Sequence, residues 1–222
     1  EQYVNYWMHV GFINVDGEKM SKSLGNFFTI RDVMEKFHPE AIRYFIVSSH
    51  YRSPVNFSDA ALKEAKNTLS RFYHSFKAYQ QSYCVEVTAA PDEVFVERFN
   101  TAMRDDFNTS EAIAVLFEIN KALNTSVKDE NVEQAAVYYA TLRHLTDILG
   151  LVQHNVDDFL KSDIGQEALG LTAEQIEDLI QQRVDAKKSK EFARADEIRQ
   201  SLLDQGVVLE DTRQGTIWRR AD

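Results

Sequence analysis

Leu62, Ala65, Leu69, Phe72, Phe76 and Tyr79 recur at alternating spacings of three and four over about five helical turns. Such a stripe lies on one face of a helix and has to be buried against other helices, which excludes an all-β fold for the centre of the chain. Ser58 precedes it as an N-cap. Asn108 with Glu111 makes a capping-box-like start before Ile113, Leu116, Ile119 and Leu123, and Ala135, Tyr138, Leu142, Leu145 and Leu149 repeat the pattern. A shorter helix is expected around Phe95, Phe99 and Met103, giving a four-helix bundle. With only 8 Gly and 3 Pro in 222 residues, few positions force a turn, so helices dominate and the fold class is mainly α.

The ends of the chain differ from its centre. Tyr3, Tyr6, Trp7, Met8, Val10, Phe12, Ile13 and Val15 form an apolar run that needs a sheet the chain barely supplies, so the opening 30 residues read as the end of a fold begun upstream. Val33, Met34, Phe37, Ile42, Phe45 and Ile46 suggest two short helices broken at His38-Pro39, and residues 51–57 read as irregular. Gly150 and the acidic tract Asp157 to Asp163 read as a terminator and linker. A small unit then begins at Thr172, carries Ile176, Leu179, Ile180 and Val184 on one helix and Phe192, Ala195, Ile198 and Leu202 on the next, and stops at Gly206. Val207 to Asp211 and Thr216 to Arg220 around Gln214-Gly215 read as a β-hairpin.

The formal charge of −10 argues against a nucleic-acid partner, but its distribution does not. Residues 1–58 are neutral, 59–154 carry −5, 155–179 carry −6 and 180–222 carry +1, ending in Arg213, Arg219 and Arg220. Both ends can therefore approach a polyanion. One cysteine, Cys84, excludes an internal disulfide framework and a Cys-based zinc cluster, and it reads as a spectator thiol. No membrane span or signal peptide is expected, and a reducing cytoplasm is the simplest setting.

Chemistry is concentrated in Lys19-Met20-Ser21-Lys22-Ser23, followed by Leu24-Gly25-Asn26. By average composition this pentapeptide arises by chance in such a chain about once in ten thousand. Two lysines three apart, in a loop loosened by Gly17 and Gly25, can close over a triphosphate and neutralise charge developing on leaving pyrophosphate. The bland alternative is a solvated basic turn.

The octapeptide resembles the second signature of class I aminoacyl-tRNA synthetases. Tyr3 to His9, Ala41 to Phe45, His50 to Ser58, Arg194 to Arg199 and Asp211 to Arg219 narrow the resemblance to the cysteinyl-tRNA synthetase family, over essentially all of the chain. That resemblance implies residues 1–30 as the end of a Rossmann-type catalytic domain, 31–58 as a stem-contact connection, 59–155 as an anticodon-binding bundle, 156–171 as a linker and 172–222 as a small α+β anticodon-recognition unit. It implies ATP-dependent attachment of cysteine to tRNA(Cys) through a cysteinyl adenylate, with ATP and Mg2+ as co-substrate and metal and with the enzyme a monomer. Lys19 and Lys22 match the mobile catalytic loop, Lys22 more closely for direct ATP contact, with Met20, Ser21 and Ser23 in the ATP site.

The family's first signature, a His-Ile-Gly-His element, and its zinc ligands have no counterpart here, so the chain alone is expected to be inactive and unable to select cysteine. For tRNA contact the resemblance points to Trp218, Arg219 and Arg220, then to Arg213 and Asp211. The alternative for Trp218 is the cap of a two-stranded core, with Arg219 and Arg220 as solvated ends. The run Arg183, Lys187, Lys188, Lys190 reads as a solvated face or a backbone contact. His9 either lines the adenosine pocket or packs in a strand. Two other classes stay open: a ligase coupling cysteine to an amino sugar, against which the unit after Thr172 speaks, and a non-catalytic RNA-binding paralogue, against which the lysine loop speaks.

Overall fold

The computed structural model describes residues 3–83, 89–162, 171, 173–212 and 215–220, which fall into two compact units, 1–156 and 157–222. Cys84, Asp163, Thr172, Arg213 and Gln214, singled out above, lie outside the described residues.

In the first unit, strand β1 (Ile13–Val15) turns back through Asp16 and Gly17 into β2 (Glu18–Lys19). Both turn residues have positive φ, 50° and 84°, the backbone of a two-residue hairpin that matches strand twist. The segment 51–57 is not wholly irregular. Val55–Phe57 forms β3, parallel to β1 with Ile13 opposite Val55 and Val15 opposite Phe57, so the sheet order is β2-β1-β3.

Helix α1 (Ile30–Met34) starts at a capping box between Thr29 and Asp32. Helix α2 (Pro39–Val47) starts at His38, whose ring accepts from the Glu40 N–H, with Pro39 in the first turn, where its missing N–H costs nothing. Val33, Phe37 and Leu62 form a small core here with Phe28, Ile42, Phe45 and Phe57.

The bundle is built from α3 (Asp59–Ser82), α4 (Glu93–Arg104), α5 (Thr109–Lys128) and α6 (Val132–Ile148), with α5 packed against each of the other three. Ser58 caps α3 through the Ala61 N–H, and Asn108 caps α5 through the Glu111 N–H. The stripe from Leu62 to Tyr79 is buried throughout, and Leu116 and Ile119 of α5 and Leu142 and Leu145 of α6 are fully buried with it. Tyr139 stacks on Tyr79 at 4.3 Å and meets Phe76 edge-on at 4.8 Å. Gly150 ends the bundle at φ 64°.

In the second unit the acidic tract is not a plain linker. Val156–Lys161 is a helical turn and a half, α7, whose Phe159 and Leu160 are buried because two apolar side chains sit among the acids. Then come α8 (Ala173–Lys188), α9 (Phe192–Asp204), Gly206 at φ 73° and an antiparallel hairpin of β4 (Val207–Thr212) with β5 (Gly215–Arg220). Its core is Ile176, Ile180, Leu202, Val207, Leu209 and Trp218. Among the described residues no helix is long and apolar enough to cross a membrane.

Candidate functional site

The lysine loop is braced rather than slack. Lys19 closes β2, and Met20 N–H donates to the Ile13 carbonyl at 3.2 Å. Ser21 then caps a single 3-10 turn, Lys22–Leu24, accepting from the Leu24 N–H, and Gly25 leaves it at φ 70° with its N–H on the Lys22 carbonyl. Asn26 crosses the base of this loop. Its Oδ1 accepts from the Ser21 N–H at 2.8 Å and its Nδ2 donates to the Lys19 carbonyl at 3.4 Å. Gly17 and Gly25 supply left-handed backbone, where a side chain would be strained, and not looseness. Gly17 N–H also donates to Asn56 Oδ1 at 2.8 Å, which ties the hairpin tip to β3.

Both lysines are exposed, and among the described residues neither ammonium has a carboxylate partner. Lys19 Nζ rests 4.2 Å from the Phe12 ring centroid and Lys22 Nζ 5.3 Å from that of Phe27. At exposed sites such contacts are worth about 0.5–1 kcal/mol, so a phosphate can draw either charge away. His9 is exposed and lies outside the strands, which removes the packed-strand reading.

A second cluster joins α2, α3 and the segment after α6. The Glu40 side chain, 3% exposed, accepts from Tyr73 Oη at 2.5 Å and Gln153 N–H at 3.2 Å, and in a very short contact from Val152 N–H. Burial, and then the bond to Glu40 and its charge, push the Tyr73 hydroxyl far above its ordinary range. His38 and His154 meet edge-on at 4.7 Å, and burial first, then the charges of His154 and Lys66, lowers His38 to about 4.

Among the described residues, His38, Glu40 and His154 form the group with donor atoms close enough to suggest a metal. Its chemistry does not fit a zinc centre that must keep a position open for a substrate thiol. His38 Nδ1 already accepts the Glu40 N–H, and both Glu40 oxygens are taken by protein donors.

In the C-terminal unit Trp218 is 3% exposed, opposite Leu209 in the hairpin and packed on Ile176 and Leu202. A buried indole cannot offer its face to an unpaired base, so the stacking expectation for Trp218 gives way to the core one. Arg183 does not belong to a solvated basic face either. It is 3% exposed and grips Asp211 through two bonds of 2.9 Å, while Lys187 at 3.0 Å and Thr216 at 2.7 Å complete the ring. These donors, the Arg183 fork foremost, hold the Asp211 carboxyl well below the usual carboxylate range. Asp211 thus ties α8 to the end of the hairpin where it pairs with Thr216.

Arg219 and Arg220 pair with Val208 and Val207 through the β5 backbone. Phe192, first residue of α9 and 62% exposed, follows Lys187, Lys188 and Lys190 in sequence. The sequence places it with Ala195, Ile198 and Leu202 on the apolar face of its helix, and its exposure at the first residue of α9 overturns that reading.

Three family models divide the chain. The class I (C) tRNA synthetase catalytic domain matches residues 1–67, the DALR domain matches 98–153, and the cysteinyl-tRNA ligase anticodon binding domain matches 170–219. Among solved structures, the ternary complex of Agrobacterium radiobacter LeuRS with tRNA and LeuAMS is similar at TM-score 0.54 and 18% identity, over 74% of this chain and 24% of that one, a likeness of fold alone. The stretch that carries the lysine loop is thus the one that matches the class I tRNA synthetase catalytic domain.

Over all 222 residues the chain is 80% identical to the cysteine–tRNA ligase of Acinetobacter baumannii (strain AYE), 77% to that of Acinetobacter baylyi and 50% to that of Pseudomonas putida. The likeness to these ligases runs the whole length of the chain, which spans about half, 46–47%, of the length of these curated relatives.

Proposed function

We propose that this chain supplies the lysine loop and the tRNA-reading part of an enzyme that joins cysteine to tRNA(Cys) at the expense of ATP. In the first half-reaction a cysteine carboxylate oxygen attacks the α-phosphorus of ATP, the bond to the bridging oxygen breaks, and pyrophosphate leaves with the electron pair. Negative charge grows on the leaving group, and stabilisation there lowers the barrier. Lys22 and Lys19 serve this step, with Lys22 on the 3-10 turn as the closer contact and Met20, Ser21 and Ser23 shaping the loop around the phosphates. Mg2+ accompanies the nucleotide.

Zinc belongs to cysteine selection in the family, and no step here is assigned to it. The tRNA 3′ hydroxyl then takes the cysteinyl group from the adenylate. RNA recognition rests on the C-terminal unit: Asp211 ties the hairpin to α8, Arg213, Arg219 and Arg220 supply charge, and Phe192 supplies the exposed aromatic face.

The observation that carries this reading is the pair of ammoniums with no carboxylate partner among the described residues, on a loop that Asn26 and Asn56 hold in a set shape. In a full-length ligase bearing this segment, Lys22→Ala should slow ATP–pyrophosphate exchange by about 10²–10³-fold, near 3–4 kcal/mol of transition-state stabilisation, with tRNA affinity nearly unchanged. Exchange near wild-type speed would refute the role. The 222-residue chain should show no exchange, and it should bind a transcript with anticodon GCA more tightly than one with those three bases changed.

A further inference from the structure

Tyr51 is bonded at both of its ends. Its carbonyl accepts from the Gly11 N–H at 2.8 Å, and its hydroxyl donates to Asp106 Oδ1 at 2.7 Å. Gly11 runs through Phe12 into β1 and so into the lysine hairpin, where the Met20 N–H returns to the Ile13 carbonyl. Gly11 also lies close against the segment after Tyr51, since an added Cβ would stand 2.1 Å from the Ser53 carbonyl oxygen. Asp106 belongs to the bundle, in the turn between α4 and α5. A single side chain thus joins that turn to the strand that carries the lysines.

The Tyr51 hydroxyl has its direction set from both sides, because it also accepts from Arg52 Nε at 2.8 Å. Arg52 reaches the Asp106 carboxylate itself at 3.0 and 3.2 Å, His50 Nε2 lies 3.8 Å from it, and the His50 ring stacks on Tyr51 at 4.9 Å. The turn that presents Asp106 is strained. Asp106 and Phe107 have left-handed backbone, φ 53° and 54°, a conformation that a bulky residue such as Phe rarely adopts. Such strain persists only where the surroundings over-determine it, and it gathers at sites whose geometry matters. Here Phe107 meets the Tyr51 ring edge-on, and Thr109 Oγ1 and Ser110 Oγ at the start of α5 donate to the Ser49 and Ser48 carbonyls.

We infer that Tyr51 is a positioning residue for the lysine loop: Asp106 fixes its hydroxyl, its carbonyl fixes Gly11, and β1 is thereby set under Lys19 and Lys22. The inference rests on the adenylation role proposed for that loop.

The test is ATP–pyrophosphate exchange in a full-length ligase bearing this segment, with kcat and the KM for ATP and for cysteine measured separately. Y51F keeps the ring and loses the hydroxyl, and D106A removes its acceptor. Each should lower kcat about tenfold with both KM values within about twofold of wild type, the signature of a contact displaced in the transition state. D106N, whose amide oxygen still accepts, should recover kcat to within about threefold of wild type. Y51F/D106A should be no slower than D106A, because both changes break one bond. S110A removes a bond of the same joint that does not pass through Tyr51, and its kcat should stay within about twofold of wild type. Amide hydrogen exchange at Gly11 should quicken in Y51F.

Wild-type kcat in Y51F and D106A alongside slow exchange in K22A would overturn this inference alone, whether or not the variants melt earlier. Additive losses in the double variant, or an S110A loss equal to that of Y51F, would overturn it as well. Wild-type exchange in K22A would refute the loop reading and this inference with it.

Discussion

Removing the Glu40 carboxylate is the most informative perturbation of the first unit. Glu40 receives three protein donors inside the fold: Tyr73 Oη, Val152 N–H and Gln153 N–H. Val152 is fully buried with φ 59°, a strained conformation for a β-branched residue, and Arg143 holds its carbonyl at 3.0 Å. In E40A the buried Tyr73 hydroxyl and Val152 N–H lose their acceptor at about 1–2 kcal/mol each, and water can replace it for the exposed Gln153, so about 2–4 kcal/mol of stability should go. In E40Q the amide oxygen keeps the two backbone donors, and Tyr73 Oη must turn to accept instead, at a cost of about 1–2 kcal/mol.

Urea unfolding followed by far-UV circular dichroism measures both variants, and fluorescence of the buried Trp218 marks the unfolding of the C-terminal unit separately. An E40A loss below about 1 kcal/mol, or an E40Q loss equal to that of E40A, would refute the account of a carboxylate latch.

Stability should also depend on pH through His38, whose folded pKa of about 4 lies below its ordinary 6.5. As pH falls from 6.5 to 4 the unfolded chain binds a proton that the folded chain refuses, so stability should drop by about 3 kcal/mol over that window and level off below it. His38→Asn, which keeps a cap, should flatten the profile, and an unaltered slope would refute the assignment. Gly11→Ala would place a Cβ 2.1 Å from the Ser53 carbonyl oxygen and should part β1 from β3. In a full-length ligase the displaced loop should slow ATP–pyrophosphate exchange on the order of 10²-fold, and unimpaired exchange would show that the strand pairing does not set the loop. Trp218→Ala should cost about 3–5 kcal/mol of stability in the C-terminal unit. Phe192→Ala should leave stability within about 0.5 kcal/mol and weaken tRNA binding by about 1–3 kcal/mol, and the reverse pattern would return the stacking role to Trp218.

Periodic features were legible in the sequence because their signal is local. The Leu62–Tyr79 stripe, the Ser58 and Asn108 caps, the break at His38-Pro39 and the hairpin around Gln214-Gly215 each announce themselves within one or two turns of chain. What escaped is non-local. Strand β3 is three residues long and exists because β1, about 40 residues earlier, pairs with it. Arg183 and Asp211 stand 28 residues apart, so a helix wheel puts Arg183 with the lysines while the hairpin draws it inward. Trp218 looked like a binding residue because aromatic and basic neighbours in sequence resemble an RNA-reading patch, but strand alternation sends its ring to the face opposite the flanking positions. The lysine loop was legible as a motif, yet its bracing by Asn26 and Asn56 depends on turns and pairings that no spacing rule encodes.

Strand β3 ends at Phe57 and Ser58 caps α3 directly, with no residues between them to absorb movement. The 24 residues of α3 extend about 36 Å, so the helix is a rigid arm whose short end is hydrogen-bonded to the lysine hairpin through Asn56 and Gly17. A tilt of about 5° would sweep the far end of such an arm by about 3 Å while turning the strand at its pivot through the same angle. Any tilt of α3 about its start would therefore reach Lys19 and Lys22 as a rotation of the same small angle.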